Sequence, residues 1–290
     1  MQTPEHHAQM AHDSAVETPS GKGAGDENFP VGSRLIAPAL REHVMAFYEF
    51  VRAADDVADN AALSPDDKLH RLDLMEDSLL AGGPLGKPRR LAESLAATGV
   101  TPRHAQDMLS AFRQDATKSR YADIAELWDY CDRSACPVGR YLVDLHGEDT
   151  ACYPGADALS AVLQVLNHLQ DCRKDYLLLD RVYLPLDILA SAGASVDELG
   201  GDALTPGLRQ TVDRLLAACE ARMGEARSLV PALRDPRFAA ETRVVVALAD
   251  RLAQRLGRQD PLAGLVKLNK IDFGAAAAKG IWRFCAGRWR

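Results

Sequence analysis

The sequence predicts an all-α protein, and three observations carry that expectation. Ala, Leu, Arg and Glu dominate from Asp26 onward, without the alternating runs of Val, Ile and Thr that read as strands. A cap-then-proline start recurs at Ser64-Pro65, Thr101-Pro102 and Thr205-Pro206; a hydroxyl precedes a proline whose missing N–H costs nothing in a first helical turn. Apolar residues recur at steps of three or four, as in Leu40, Val44, Phe47 and Val51.

Taken in order, residues 1–25 are Gly, Ser, Thr, His and charged residues with little periodicity, and read as a disordered tail. A first long helix starts near Pro38 and runs to about Asn60. A second starts at Ser64 and turns Leu69, Leu72, Met75 and Leu79 inward. The Gly- and Pro-rich run from Ala81 to Pro88 is a loop. Further helices are expected at about 89–98, 102–116, 123–146, 156–177, 185–191, 206–229, 236–256 and 261–285. No repeat and no long linker interrupts them, so residues 26–290 are expected to form one all-helical domain.

Composition narrows the function. The net charge of −7 and the lack of a basic stripe argue against nucleic acid as a partner. Six cysteines without a C-x-x-C pair, and an N-terminus without an apolar signal core, point to free thiols in a reducing cytoplasm. No apolar run is long enough to span a bilayer. The stretch from Phe273 to Arg290 sets Phe273, Ile281, Trp282, Phe284 and Trp289 among Lys279, Arg283, Arg288 and Arg290. That mixture suits either a helix docked on the core or a peripheral contact with the inner membrane face.

Two acidic stretches interrupt the apolar pattern. Asp55 and Asp59 continue the face that carries Phe47 and Val51 one and two turns earlier. Alone, this D-x-x-x-D reads as a solvated acidic helix end. The arrangement recurs, however, with Leu159, Leu163, Asn167, Asp171 and Asp175 at steps of four. Two like-charged pairs on inward faces repel strongly unless a cation joins them. Aspartate and asparagine oxygens are hard ligands that suit Mg2+, which keeps waters and completes its shell with substrate phosphate. Asp55, Asp59, Asn167, Asp171 and Asp175 are therefore the candidate metal ligands, and an anionic diphosphate is the candidate substrate group. Arg52 is positioned to meet phosphate oxygens, or else to pair with Asp56 one turn later. Asp56 itself points about a hundred degrees away and is expected to be peripheral or solvated.

These residues resemble the squalene and phytoene synthases, the head-to-head trans-isoprenyl diphosphate synthases. The family's first D-x-x-x-D matches Asp55 to Asp59 with Arg52 before it; its N-x-x-x-D-x-x-x-D matches Asn167, Asp171 and Asp175. Its R-x-Y-L-P follows as Arg181 to Pro185. Glu126-Leu127-Trp128-Asp129-Tyr130-Cys131, with Ala135-Cys136-Pro137-Val138-Gly139, resembles the helix between the motifs. The resemblance covers about Glu27 to Leu256. Glu27 to Ser33 and Phe112 to Tyr121 look most like the bacterial hydroxysqualene synthases of the hopanoid pathway.

The resemblance implies an isoprenoid-synthase-type helical bundle with a central cavity. It also implies Mg2+-dependent conversion of presqualene diphosphate and water to hydroxysqualene and diphosphate, a carbon–oxygen lyase reaction. It makes Tyr130 the tyrosine that faces the reacting carbons, with Asp55, Asp59, Asp171 and Asp175 as catalytic metal-holding carboxylates. Arg52, Asn167, Arg181 and Tyr183 then lie on the diphosphate side, and Asp115 and Lys118 at the rim. Two alternatives stand beside it. One is a prenyltransferase that condenses two molecules of farnesyl diphosphate or a similar substrate to presqualene diphosphate, squalene or a phytoene-like product. The other is a non-catalytic helical assembly factor, which would have no use for two intact acidic motifs. Relatives that reduce the cation need a nicotinamide, and no G-x-G-x-x-G follows a strand here.

Overall fold

The protein is described by a computed structural model covering residues 16, 17, 19, 21, 33 and 35–287, with the backbone alone for 279–287. The expectations for the rest of the first 25 residues, for Glu27 to Gly32 and for the side chains of Ile281, Trp282, Phe284 and Trp289 lie outside the described residues. Among the described residues the only β pairing is an isolated bridge between Arg120 and Val182.

Helix α1 (Pro38–Ala58) starts on its proline and buries Val44, Phe47, Phe50, Ala54 and Val57. It ends as the Asp59 N–H closes on the Asp55 carbonyl at 2.8 Å. Ser64 caps α2 (Pro65–Ala81), its hydroxyl accepting the Asp67 N–H at 3.2 Å, and Gly82 at φ 76° ends that helix in the left-handed conformation. Helices α3 (Gly86–Thr98) and α4 (Arg103–Asp115) complete the layer around α1. Phe50, Leu72, Met75, Leu91 and Leu109, one to two from each helix, form its fully buried centre.

The helix expected at 123–146 is instead two, α5 (Ile124–Ser134) and α6 (Cys136–Leu145), broken at Ala135. Pro137 is the cause: it has no N–H to continue the ladder, so it takes a first-turn position in a new helix. Helix α7 (Tyr153–Leu179) is longer than expected, roughly 40 Å at 1.5 Å per residue. It is the central helix, packed by α6, α9 (Pro206–Ala232) and α10 (Pro236–Leu256). Its core faces bury Val162, Val165, Leu166 and Leu169 against Leu208, Leu215 and Leu252. Gly139 permits the close crossing of α6 and α7, because a Cβ there would lie 2.6 Å from the Ser160 hydroxyl and 3.0 Å from the Ala156 carbonyl. Tyr141 ties α6 to α1, stacking on Phe47 at 4.0 Å and donating to the His43 carbonyl at 2.9 Å.

Asp180, at φ 50°, ends α7 and turns the chain toward the short α8 (Leu186–Ser191). The exit segment is fixed to the strand-like stretch before α5: the N–H groups of Val182, Leu186 and Asp187 donate to the carbonyls of Ser119, Tyr121 and Ala122. The final helix does not begin near 261. Asp260 holds the N–H groups of Leu262 and Ala263 in a turn, and α11 (Lys270–Gly287) starts after Asn269, whose side chain accepts from Ile271 and Asp272 at 3.0 Å. Two residues of the N-terminal segment have described contacts. Val16 is buried in the α1 core, and Glu17 is buried in an ion pair with Lys87 at 2.5 Å. An apolar group and a paired carboxylate give that point a reason to dock.

Candidate active site between two acidic helix ends

The last two turns of α1 carry Arg52, Asp55 and Asp56, and Asp59 follows as the residue that caps the helix. Arg52 spans two carboxylates, meeting Asp55 at 2.9 Å and Asp56 at 2.5 Å. Asp56 is therefore not solvated: it is buried, and the arginine offsets its charge. Asp55 is half-buried, with 32 % of its side chain open to water. Burial, then the neighbouring Asp59, pushes its carboxyl up to about 8 against the opposing pull of Arg52.

The last turns of α7 carry the second motif. Asn167, Asp171 and Asp175 share one face at half-buried positions, as four-residue spacing requires. Burial, then Asp171, then Asp59 push Asp175 up to about 7. The effect of Asp59 on Asp175 crosses from α1 to α7, so both motifs act on one space. The other polar residues of the motif point elsewhere. Gln170 donates to the Val266 carbonyl and Arg173 to the Leu262 carbonyl at 3.0 Å, which straps the segment after α10 to the side of α7.

Arg181 joins the two helix ends directly. It is 5 % exposed and follows α7, yet its guanidinium donates to Asp59 at 2.5 Å and to the Ala58 carbonyl at 2.7 Å. Burial works against its charge, but Tyr183, Asp115 and Asp59 hold its pKa above the ordinary arginine value. Arg120 supports the turn that aims it, donating to both the carbonyl and the carboxylate of Asp180. Lys68 on α2 lies in the same field. Its pKa is lowered by burial and by the Arg181 charge, while Asp59 and Asp115 oppose the shift.

Beside these groups lies an aromatic cluster. Tyr130 from α5 and Tyr183 from the exit segment are both buried, with ring centroids 5.4 Å apart; Tyr121 lies 5.3 Å from the first and 5.5 Å from the second. His168 stacks on Tyr183 at 3.6 Å, and burial followed by the Arg181 charge lowers its pKa to about 3, so the ring is neutral. Both phenols donate to Asp115. Asp115 is thus a buried residue and not a rim residue. Lys118 is half-buried, paired with Glu126 and placed over the Tyr121 ring at 4.9 Å.

Contacts and charge effects link Arg52, Asp55, Asp59, Asp171, Asp175, Arg181, Tyr183 and Tyr130 across α1, α7, α5 and the exit segment, and Asn167 lies one turn before Asp171 on the same face of α7. Among the described residues no three His, Cys, Asp or Glu side chains converge on one point. The aspartates stand instead as two pairs, one at each helix end. That donor set fits Mg2+, which is commonly bound by one or two carboxylates and completed by water and phosphate. It fits also because carboxylates pushed up to about 8 and about 7, by burial first and by neighbouring aspartates second, gain a counter-charge when a cation binds and displaces their protons. Sequence reasoning missed Lys68 and the anchoring position of Asp115. Neither lies in a pattern that marks it, since both sit in polar runs at helix ends.

No helix among the described residues is long and apolar enough to cross a membrane. Cys131, Cys136, Cys152, Cys172 and Cys219 are buried free thiols.

Comparison with known proteins agrees with this arrangement. The family model for squalene/phytoene synthase matches residues 23–272. The chain is 46% identical over 265 residues to the hydroxysqualene synthase of Rhodopseudomonas palustris, covering 91% of each chain. It is 40% identical over 275 residues to the hydroxysqualene synthase of Zymomonas mobilis, covering 92% of each. The crystal structure of squalene synthase HpnC from Alicyclobacillus acidocaldarius superposes with a TM-score of 0.72 at 26% identity, over 89% of this chain and 96% of that one. With its paired acidic helix ends and its match along most of its length, the chain belongs to the squalene/phytoene synthase family.

Proposed function

We propose that this protein converts presqualene diphosphate and water to hydroxysqualene and diphosphate, a step toward squalene and hopanoids, with Mg2+ as its cofactor. The observation that carries the reading is that two acidic helix ends meet, with Arg181 after α7 bonded to Asp59 after α1 and the Asp59 charge felt at Asp175. High identity to relatives named hydroxysqualene synthase supports the choice of reaction.

In this reading Asp55, Asp59, Asn167, Asp171 and Asp175 hold the metal. Bound Mg2+ supplies charge neutralisation for the departing diphosphate. Arg52, Arg181, Asn167 and Tyr183 form the diphosphate side. The two guanidiniums are already fixed by carboxylates, so little reorganisation accompanies binding. The carbon–oxygen bond to diphosphate breaks, the cyclopropylcarbinyl cation rearranges, and a water oxygen captures it as a proton leaves to diphosphate or solvent. Tyr130 faces the cation. Its hydroxyl proton is committed to Asp115, so its contribution is the negative face of the ring rather than proton donation.

Residues 26–290 form the catalytic domain in this proposal, and the protein works in the cytoplasm as a peripheral protein at the inner membrane face. Ile271 at 80 % and Leu265 at 57 % exposure, beside Lys267 and Lys270, support lipid contact around the start of α11. Separate incubations with farnesyl diphosphate and with presqualene diphosphate test the reaction. Presqualene diphosphate is expected to be consumed and farnesyl diphosphate left intact. Turnover of farnesyl diphosphate alone would replace the reading with head-to-head condensation.

A further inference from the structure

Asp115 is the last residue of α4, 8 % exposed, and both of its carboxylate oxygens are in use. Oδ2 accepts the Tyr130 hydroxyl at 2.7 Å, and Oδ1 accepts the Tyr183 hydroxyl at 3.2 Å. The three residues come from three segments: α4, α5 and the exit from α7. One carboxylate therefore fixes the relative position of two rings that neither helix could register alone. The remaining contacts close the cluster. Tyr121 lies against both rings, and His168 lies on Tyr183. Burial pushes Asp115 up to about 6, while the Arg181 charge and the two phenols pull the other way.

The chemical consequence follows from the aromatic quadrupole. A ring face attracts a cation and a ring edge repels it. A phenol anchored at its hydroxyl holds its ring where the anchor puts it; a free one can tilt. We propose that Asp115 is a positioning residue for the reaction, acting through Tyr130 and Tyr183 to keep both rings in one orientation toward the developing cation. The proposal rests on the function proposed above. It assigns Asp115 no contact with metal or diphosphate.

The test uses the full-length chain with Mg2+ and presqualene diphosphate. Asp115→Asn keeps the size of the side chain but leaves one acceptor oxygen, so only one phenol stays anchored as a donor. The expected result is kcat lowered about 10²-fold, as for a misplacement of about an ångström, with KM changed less than about threefold. The tyrosine doublet in ultraviolet resonance Raman spectra is expected to lose the signature of a phenol donating to carboxylate. In a Tyr130→Phe, Tyr183→Phe background, Asp115→Asn is expected to add almost nothing, since its effect runs through those hydroxyls. A Raman spectrum unchanged by Asp115→Asn would overturn the proposal, as would retained kcat, or a raised KM with kcat intact, which would make Asp115 a binding group. If Asp115→Asn does not fold, the Raman spectra of Tyr130→Phe and Tyr183→Phe decide: each must remove one donating phenol. Wild-type enzyme inert toward presqualene diphosphate would refute the proposed reaction, and the Raman comparison would still report whether the anchor exists.

Discussion

Asp171→Ala is expected to lower Mg2+-dependent diphosphate release by about 10³-fold, the upper range for removing one preorganised electrostatic group, while the melting temperature stays within a few degrees. The asymmetry follows from position. Asp171 leaves 43 % of its side chain exposed and meets Lys174 only at a long 3.9 Å. Deleting it opens no cavity and strands no buried partner, so its cost to stability is that of a surface change, roughly half a kcal/mol. Its electrostatic role is larger, because after burial it is the main cause of the raised pKa of Asp175. The alanine variant therefore loses one of the two carboxylates at the α7 end and the close repulsion that calls for a cation. Continuous measurement of released diphosphate, alongside thermal melting, checks both halves. Full activity in the variant would remove Asp171 from the metal assignment.

Arg181→Met is expected to damage both activity and stability. The guanidinium is buried, and its two donors reach groups of a different helix, Asp59 and the Ala58 carbonyl. Methionine fills part of the volume but leaves that carbonyl without this donor and Asp115 and Asp59 without their shared counter-charge. Breaking a buried pair costs about 3–5 kcal/mol. Asp59 keeps more than a third of its side chain in water, so solvent recovers part of that, and a loss of about 2 kcal/mol is expected. Catalytic efficiency is expected to fall at least about 10²-fold, because in the proposed function the same cation faces the diphosphate. Arg181→Lys should not rescue, since one ammonium lacks the planar fork that spans both acceptors. Urea unfolding and steady-state kinetics on the two variants check this. A lysine variant equal to wild type in both would show that charge alone suffices there.

Much of this architecture was legible in the sequence because it rests on local rules. The four-residue spacing that leads from Phe47 to Asp55 and from Leu159 to Asp175 is a property of one helix, and the structure keeps both faces. Boundaries were less legible where two local signals compete. Pro137 marks a helix start inside an otherwise continuous pattern, and the apolar residues 262–268 look periodic although Asp260 and Asn269 hold that stretch as a turn and a cap. What the sequence hid are the contacts between distant segments. Arg181 and Asp59 are 122 positions apart and Tyr183 and Asp115 are 68 apart, and no periodicity links them. The pairing of Asp56 with Arg52 follows the four-residue spacing, whereas its burial does not. Helical projection places it off the Asp55 face, but α1 is packed on several sides, so the off-face position is also buried and needs Arg52.

In the proposed reaction, water captures a cation formed at this pair of acidic helix ends. The most direct measurement is incubation of the purified chain with Mg2+ and presqualene diphosphate in 18O-labelled water, followed by mass spectrometry of the extracted product. A C30 alcohol carrying one 18O atom is expected. An unlabelled hydrocarbon, or an alcohol whose oxygen comes from the diphosphate ester, would contradict the proposed reaction.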